Sequence, residues 1–218
     1  YELDYDETSD GLGQRCSDEG CPSATRLDRL TDTTDVYMNE VHELRDQYGA
    51  DVVAALMSIS DVGGIGWVLN TPSGISENAF SINRIQQSTS TYTVAHEIGH
   101  NLGNVHSRNQ NQGTASIFGG LFTYSTGYRW MPADTGYTTV MGYSEGYQEI
   151  PMYSSPDLRW NGFSAGTLDD PLNGHTDAAR SINNIKYAVA SYRLTQVEPP
   201  VTFYSLNSSS QNELSINL

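Results

Sequence analysis

The run HEIGHNLGNVH, which begins at His96, is the feature that most constrains this chain. Two histidines four residues apart lie on the same face of a helix, so His96 and His100 can bind one metal ion. Glycine tolerates a positive φ, so the helix is predicted to end at Gly103 and the chain to turn, which brings His106 round as a third nitrogen ligand. Glu97 can then reach a water molecule on the metal without binding the metal itself. Three nitrogen ligands and one open position are typical of a catalytic zinc site, not a structural one.

The alternative interpretation of this run is a surface helix that carries histidines by chance. The chain has only five histidines, and three of them occur at these spacings together with the glutamate and the glycine. A bare H-E-x-x-H is a moderate signal, whereas the extended pattern with a third histidine is a strong one. The other two, His42 and His175, are predicted to be surface, boundary or cap residues.

Charge and hydropathy exclude several classes of partner. The formal net charge is −15, with 26 acidic and 11 basic residues, which argues against nucleic acid because phosphate binding requires Lys and Arg. No apolar run approaches the roughly 20 residues of a membrane span. The acidic side chains, for example Asp4, Asp6 and Glu7, make calcium a second candidate ion, and a solvated acidic surface is the alternative.

The two cysteines, Cys16 and Cys21, lie close together in a polar segment. A zinc pair would need a second Cys/His pair, which the chain lacks, so a small disulfide loop is predicted. A disulfide implies an oxidising compartment and hence a secreted protein. It also leaves no free cysteine to block the zinc, so latency of a zymogen would require an N-terminal pro-segment.

Periodicity predicts an α/β or α+β fold. Six elements are expected before the zinc helix. They are a short strand that leads into a loop within residues 1–10, a short helical turn at 23–30, a helix at 36–48 that ends at Gly49, a buried central strand at 51–59, and strands at 65–69 and 79–83. After His106 the chain is polar, glycine-rich and irregular, until a helix predicted at 177–193. The remainder, 194–218, is read as a tail or linker, with a strand at 201–206 as the alternative.

Several segments resemble the reprolysin-like branch of the metzincin zinc peptidases, and especially its secreted bacterial members. They are HELRDQYGADVV, AFSI, HEIGHNLG and YSSPDLRWNG followed by DAARSIN. The resemblance implies a catalytic domain over residues 1–193, with a twisted mixed sheet and helices in an upper lobe (1–103). It also implies an irregular lower lobe (104–193), with zinc in the cleft between the two lobes.

The resemblance further assigns roles to Met141 and Tyr143. In metzincins a tight turn holds a methionine beneath the zinc histidines as an apolar floor, and Met141 is similar to that residue. In the astacin-like and serralysin-like branches a tyrosine at the position of Tyr143 binds zinc or stabilises the transition state. The alternative is that Tyr143 is simply one of 14 tyrosines.

Two residues depart from the reprolysin pattern. Ser107 stands where reprolysins carry Asp after the third histidine, and Thr139 stands where they carry a cysteine in the methionine turn. The subfamily is therefore left open.

These observations predict a secreted, monomeric zinc endopeptidase that acts on proteins or peptides. Glu97 is the expected general base. The substrate is expected to extend along an edge strand, with Ile65, Gly66, Trp67 and Val68 as the candidate residues, and a pocket is expected between Met141 and Ser155. One alternative is a non-catalytic binding or adhesion module that keeps the zinc fold, although such a module has no need of Glu97. Another is a metal-dependent hydrolase of a non-peptide amide.

Overall fold

The computed structural model describes residues 22–35, 37–110, 120–170 and 174–194, and the backbone of two short strands at 202–204 and 213–215. Within these ranges the fold is mixed α/β, as predicted, with four α-helices and small sheets. The predicted Cys16–Cys21 disulfide and the acidic cluster of Asp4, Asp6 and Glu7 lie outside the described residues. None of the helices in the described part of the chain is long and apolar enough to cross a membrane.

The first two helices are α1, Ser23–Thr31, and α2, Asn39–Tyr48. The predicted helical turn is thus a nine-residue helix, which buries Leu27 and Leu30. Helix α2 ends at Gly49, which has a φ of 62° and accordingly terminates the helix in the left-handed conformation, as predicted.

A three-stranded sheet follows, formed by β1 (Val53–Met57), β2 (Gly64–Gly66) and β3 (Phe80–Arg84). Its order is β1-β3-β2, with β3 parallel to β1 and antiparallel to β2, so the sheet is mixed. The prediction of a central strand at 51–59 is wrong for the described sheet, because β1 lies at its edge and leaves Leu56 half exposed. An apolar run does not specify how many neighbours a strand has.

The central strand β3 separates two layers. Phe80 and Ile82 are fully buried in a core with residues of α1, whereas Ser81 faces the opposite side of the sheet. A third helix, α3, Thr93–Asn101, packs on that opposite side, where its Glu97 lies against the backbone of β2. This places the helix that carries the zinc motif directly on the edge strand.

The second half of the chain is built from shorter pieces, as predicted. The described strands are β4 (Arg129–Trp130), β5 (Tyr137–Thr138) and β6 (Gln148–Glu149), which form one sheet, and β7 (Arg159–Trp160) and β8 (Phe163–Ser164), which form another.

The last described helix is α4, Ala178–Val189, within the predicted range. The side chain of Asp177 caps it by accepting a hydrogen bond from the backbone N–H of Arg180 at 3.1 Å. Ile185 and Val189 of α4 pack against Leu69 from the first half of the chain.

The tail contains the strand predicted as an alternative. Strand β9 (Thr202–Tyr204) pairs antiparallel with β10 (Glu213–Ser215). Neither pairs with another strand that the structure describes.

Candidate metal centre

Backbone and side-chain hydrogen bonds fix α3 on the sheet. The amide of Leu69 donates to the carbonyl of His100 at 3.0 Å. The buried side chain of Asn101 donates from Nδ2 to the carbonyls of Trp67 and Phe80, each at 3.0 Å. The C-terminal end of α3, which carries the second histidine of the motif, is therefore held by both β3 and the segment after β2.

The chain turns immediately after α3, as the motif predicts. Gly103 has a φ of 81°, and a Cβ there would lie 2.6 Å from the Cβ of Leu121, so a side chain would be both strained and obstructed. Beyond the turn Val105 forms a β-bridge to Thr126, which leads the chain to His106.

The three histidines converge through their Nε2 atoms. Nε2 of His106 lies 3.1 Å from Nε2 of His96 and 3.2 Å from Nε2 of His100. Nδ1 of His96 is 2.7 Å from the carbonyl oxygen of Val140, and Nδ1 of His100 is 2.7 Å from that of Asn104. Because a carbonyl oxygen only accepts, both Nδ1 atoms carry the proton and both Nε2 lone pairs point into the cluster.

This arrangement fits a zinc ion. Zinc–nitrogen bonds of about 2.0–2.1 Å in a tetrahedral site place the nitrogens roughly 3.3 Å apart, close to the separations in this cluster. Burial lowers the pKa of His96, of His100 and of His106, the last to about 3, so the imidazoles are neutral at pH 7 and able to bind a metal. Lone pairs that face one another without a cation between them would repel.

No second metal cluster occurs in the part of the chain that the structure describes. The three histidines are the one group of three or more His, Cys, Asp or Glu side chains there that is placed to hold an ion. The described residues therefore give no support to the predicted calcium.

Glu97 lines the same cavity as His96 and is buried, with 5% of the residue exposed. Burial raises its pKa to about 8. Two glycines of β2 make room for it: a Cβ on Gly64 would lie 2.6 Å from Oε1 of Glu97, and one on Gly66 would lie 3.4 Å from Oε2. The run Gly63-Gly64-Ile65-Gly66 is the sequence signal for this close approach.

Met141 is fully buried and packs against Gly99 of α3. Its Sδ packs where a side chain at Gly99 would stand, so only glycine fits there. Tyr153, which sequence reasoning missed, also contacts Gly99, and its hydroxyl donates to the carbonyl of Ala95 at 2.6 Å.

Tyr143 lies over the histidines. Its ring centroid is 4.4 Å from that of His106 and 5.7 Å from that of His96, and the side chain remains half exposed. Burial, followed by the nearby charge of Glu97, raises the pKa of Tyr143.

Gln110, which carried no sequence signal, holds the backbone of Tyr143 at two points. Its Nε2 donates to the carbonyl of Tyr143 at 3.2 Å, and its Oε1 accepts from the amide of Tyr143 at 3.0 Å. Ser107, which stands in place of the reprolysin Asp, is buried with its Oγ 3.1 Å from Oε1 of Gln110. The residue after the third histidine thus supports the segment that carries the tyrosine.

A cavity of about 430 Å³ opens beside His96 and Glu97. Its walls include Gly142, Tyr143 and Glu149, which lie in the range predicted for the pocket wall. Glu149 was not singled out from the sequence, since the register of the two-residue strand β6 depends on tertiary contacts.

Only part of the predicted substrate strand forms a β-strand in the structure. Ile65 and Gly66 belong to β2, which lies at the edge of the described sheet. The amide of Trp67 still donates to the carbonyl of Phe80 at 3.4 Å, and its indole Nε1 donates to Oγ1 of Thr31. Val68 lies beyond the strand.

Comparison with known proteins agrees with this geometry. The family model of metallo-peptidase family M12 matches residues 5–154. Curated relatives named "Peptidyl-Asp metalloendopeptidase" include two from Stenotrophomonas maltophilia, which are 30% and 29% identical over 172 residues, 78% of this chain and 38% of each relative. Another, from Xanthomonas campestris, is 29% identical over 174 residues, 78% of this chain and 37% of the relative.

The chain thus spans less than two-fifths of the length of the curated relatives it matches. One solved structure, "Structure of a chaperone-substrate complex", matches with a TM-score of 0.52 and 21% identity. That match covers 81% of this chain and 26% of the other, and it shows a shared fold alone. The matched range includes the three histidines, Glu97 and Met141, and the predicted resemblance to reprolysin-like metzincins is confirmed: this chain belongs to metallo-peptidase family M12.

Proposed function

We propose that this chain is a zinc-dependent endopeptidase that hydrolyses protein or peptide substrates. The observation that carries the proposal is the position of Glu97, a buried carboxylate beside three converging imidazole Nε2 atoms. A non-catalytic binding module could retain the histidines, but it gains nothing from burying an unpaired carboxylate next to them. Membership of a metallopeptidase family supports the same conclusion.

In this mechanism His96, His100 and His106 hold the metal and Glu97 moves the proton. Zinc, when bound, supplies Lewis acidity that polarises the scissile carbonyl and acidifies a water molecule. Glu97 accepts a proton from the attacking water on a carboxylate oxygen and delivers it to the nitrogen of the leaving amine. Burial raises the pKa of this carboxyl in the metal-free protein, and the positive charge of a bound metal would favour the ionised form that accepts the proton.

Tyr143 and Met141 complete the proposed site. The half-exposed phenol of Tyr143, held next to His106, is placed to donate a hydrogen bond to the developing oxyanion. Met141, packed against Gly99, serves as the apolar floor that keeps α3 and its histidines in place.

The substrate is proposed to pair in extended form with the open edge of β2, along Ile65 and Gly66 and onward past Trp67 and Val68. In this proposal residues 1–103, the sheet with its helices, form one lobe and the irregular residues 104–193 form the other. The scissile bond would lie at the zinc cleft between them. The relatives are named for aspartyl peptides, and we propose that this chain also cleaves beside a defined side chain.

The cellular context is also a proposal. The close pair Cys16 and Cys21 favours a disulfide and therefore a secreted enzyme, and the surplus of acidic residues suits a soluble, monomeric one. Latency is proposed to depend on a pro-segment, because the chain has no further cysteine that could bind the zinc.

Casein digestion before and after removal of metal tests the proposal. The zinc-loaded protein is expected to cleave casein, a chelator is expected to abolish cleavage, and added zinc is expected to restore it. A protein that binds one zinc per chain yet cleaves neither casein nor gelatin would instead be the non-catalytic binding module.

A further inference from the structure

The cavity beside Glu97 is also lined by a second acidic residue, Glu149. We propose that Glu149 makes this cavity a subsite for a lysine or arginine side chain of the substrate, next to the scissile bond. The inference rests on the proposed peptidase function and adds to it the class of side chain that the site selects.

The local structure explains why Glu149 faces the cavity. In β6 it pairs with Thr138, while Gln148 before it is exposed and Ile150 after it is fully buried. The amide of Ile150 donates to the carbonyl of Thr138 at 2.9 Å, which fixes the register. In this register Glu149 is half-buried and lines the cavity.

Nothing in the described part of the chain neutralises this carboxylate. The ion pairs there are Arg193 with Asp46 and Arg129 with Glu145, at 2.5 and 2.9 Å. Arg129 is also stacked over the ring of Tyr147 at 4.0 Å, so it is already engaged. Glu149 is therefore available to a cation that the substrate brings.

The other walls offer acceptors as well. Oε1 of Gln87 projects over Gly63, and a Cβ there would lie 2.7 Å from it. Gln87 and the hydroxyl-bearing residues Thr91 and Ser144 line the cavity, while no lysine or arginine does so among the described residues. Ammonium and guanidinium groups carry several N–H donors and no acceptor, so they match these walls.

An acidic side chain of the substrate would be repelled by this cavity. It would bring a third carboxylate beside Glu97 and Glu149, and like charges in a partly buried site repel. Selectivity in such a pocket comes from repulsion of the wrong side chain as much as from attraction of the right one. Although the relatives are named for aspartyl peptides, this cavity is predicted to disfavour aspartate.

The test uses the zinc-loaded protein and quenched fluorescent peptides that differ only at the residues flanking the scissile bond. Lys or Arg, Met or Gln, and Asp or Glu are placed in turn on each side. At one of the two positions, kcat/KM for the basic peptide is expected to exceed that for the neutral one about tenfold, and that for the acidic one by more. Glu149→Gln is expected to bring the basic-to-neutral ratio close to one, and Glu149→Lys to favour the acidic peptide.

Glu43→Gln is the matched control, because it removes the same charge from an exposed position on α2. It is expected to leave both the ratio and the basal rate unchanged. Cleavage of all peptides without preference, or with preference for Asp or Glu, would overturn the subsite while leaving the peptidase function standing. Failure to cleave any peptide would overturn both.

Discussion

At the scale of single residues, the protonation of Glu97 is the most informative property. Burial raises its pKa from 4.5 to about 8 in the metal-free protein. Its contribution to stability is therefore fully present below pH 4.5 and is lost as the pH rises through 8. At about 1.4 kcal/mol per pKa unit, a shift of this size corresponds to several kcal/mol.

Glu97→Gln keeps the shape of the side chain and removes this titration. The free energy of unfolding of the metal-free wild type, measured with urea, is expected to fall between pH 5 and pH 9 relative to that of the variant. The difference between the two proteins isolates Glu97, because the nearby histidines titrate in both. A difference that does not change with pH would show that the carboxylate is solvated.

Tyr143 supplies a second prediction. Tyr143→Phe is expected to lower kcat by roughly tenfold or more with little change in KM, because the phenol acts on the transition state. Gln110→Ala is expected to cause a smaller loss, since it releases the backbone of Tyr143 but leaves the phenol. An unchanged kcat in Tyr143→Phe would show that the phenol has no role in the reaction.

Residue by residue, the sequence predicted what local spacing determines. His96 and His100 are separated by one helical turn, and the position of His106 depends on one glycine, so all three could be placed from the motif. Gln110, Tyr153 and Glu149 could not, because each reaches its partner across 33 residues or more, or through the register of a two-residue strand. Such contacts leave no periodic pattern in a single sequence.

At the scale of elements, the site depends on the fit between β2 and α3. Gly64→Ala would place a methyl group 2.6 Å from the Cγ and Oε1 atoms of Glu97, which must then move. Peptide hydrolysis is expected to fall at least tenfold while the zinc content of the purified protein is unchanged. Ile65→Val, at the next position in β2, is the control that should keep its activity. Full activity of Gly64→Ala would indicate that catalysis does not depend on the position of the Glu97 carboxylate against Gly64.

Asn101 joins α3 to the strands. Asn101→Asp replaces its Nδ2 donor by an oxygen that faces two carbonyls, so it is expected to destabilise the protein by about 1–3 kcal/mol or more. Thermal unfolding measures this change. Asn183→Asp, on the exposed face of α4, is the matched control and should have a small effect. Similar melting temperatures for the two variants would contradict the proposed anchor.

The helices were easier to predict than the strands. Gly49 ends α2 and Asp177 begins α4 through local backbone geometry and capping, which the residue types reveal. The apolar run that contains β1 indicates burial but not position in the sheet, and β3 is central although it carries the buried polar side chains of Ser81 and Asn83. Nδ2 of Asn83 donates to the carbonyl of Ala55 at 3.3 Å, a contact that only the folded sheet provides.

For the whole molecule, a bound metal would link distant parts of the chain. His96 and His100 lie on α3, His106 follows the turn, and Val140 holds His96 from the second half of the chain. Saturating zinc at about 1,000 times its dissociation constant should then add about 4 kcal/mol of stability. Differential scanning calorimetry with and without a chelator is expected to show a lower melting temperature for the metal-free protein. Equal melting temperatures would exclude this link.

The α/β class followed from periodicity, but the packing of α4 against Leu69 could not be predicted, because their separation in the chain exceeds 100 residues.

The central claim is that Glu97 is the base of a zinc peptidase. The most direct measurement is kcat/KM for one peptide with wild type and Glu97→Gln, each shown to hold one zinc per chain. The proposed mechanism predicts a loss of at least about 100-fold in the variant at equal zinc content. Equal hydrolysis by both proteins would contradict it.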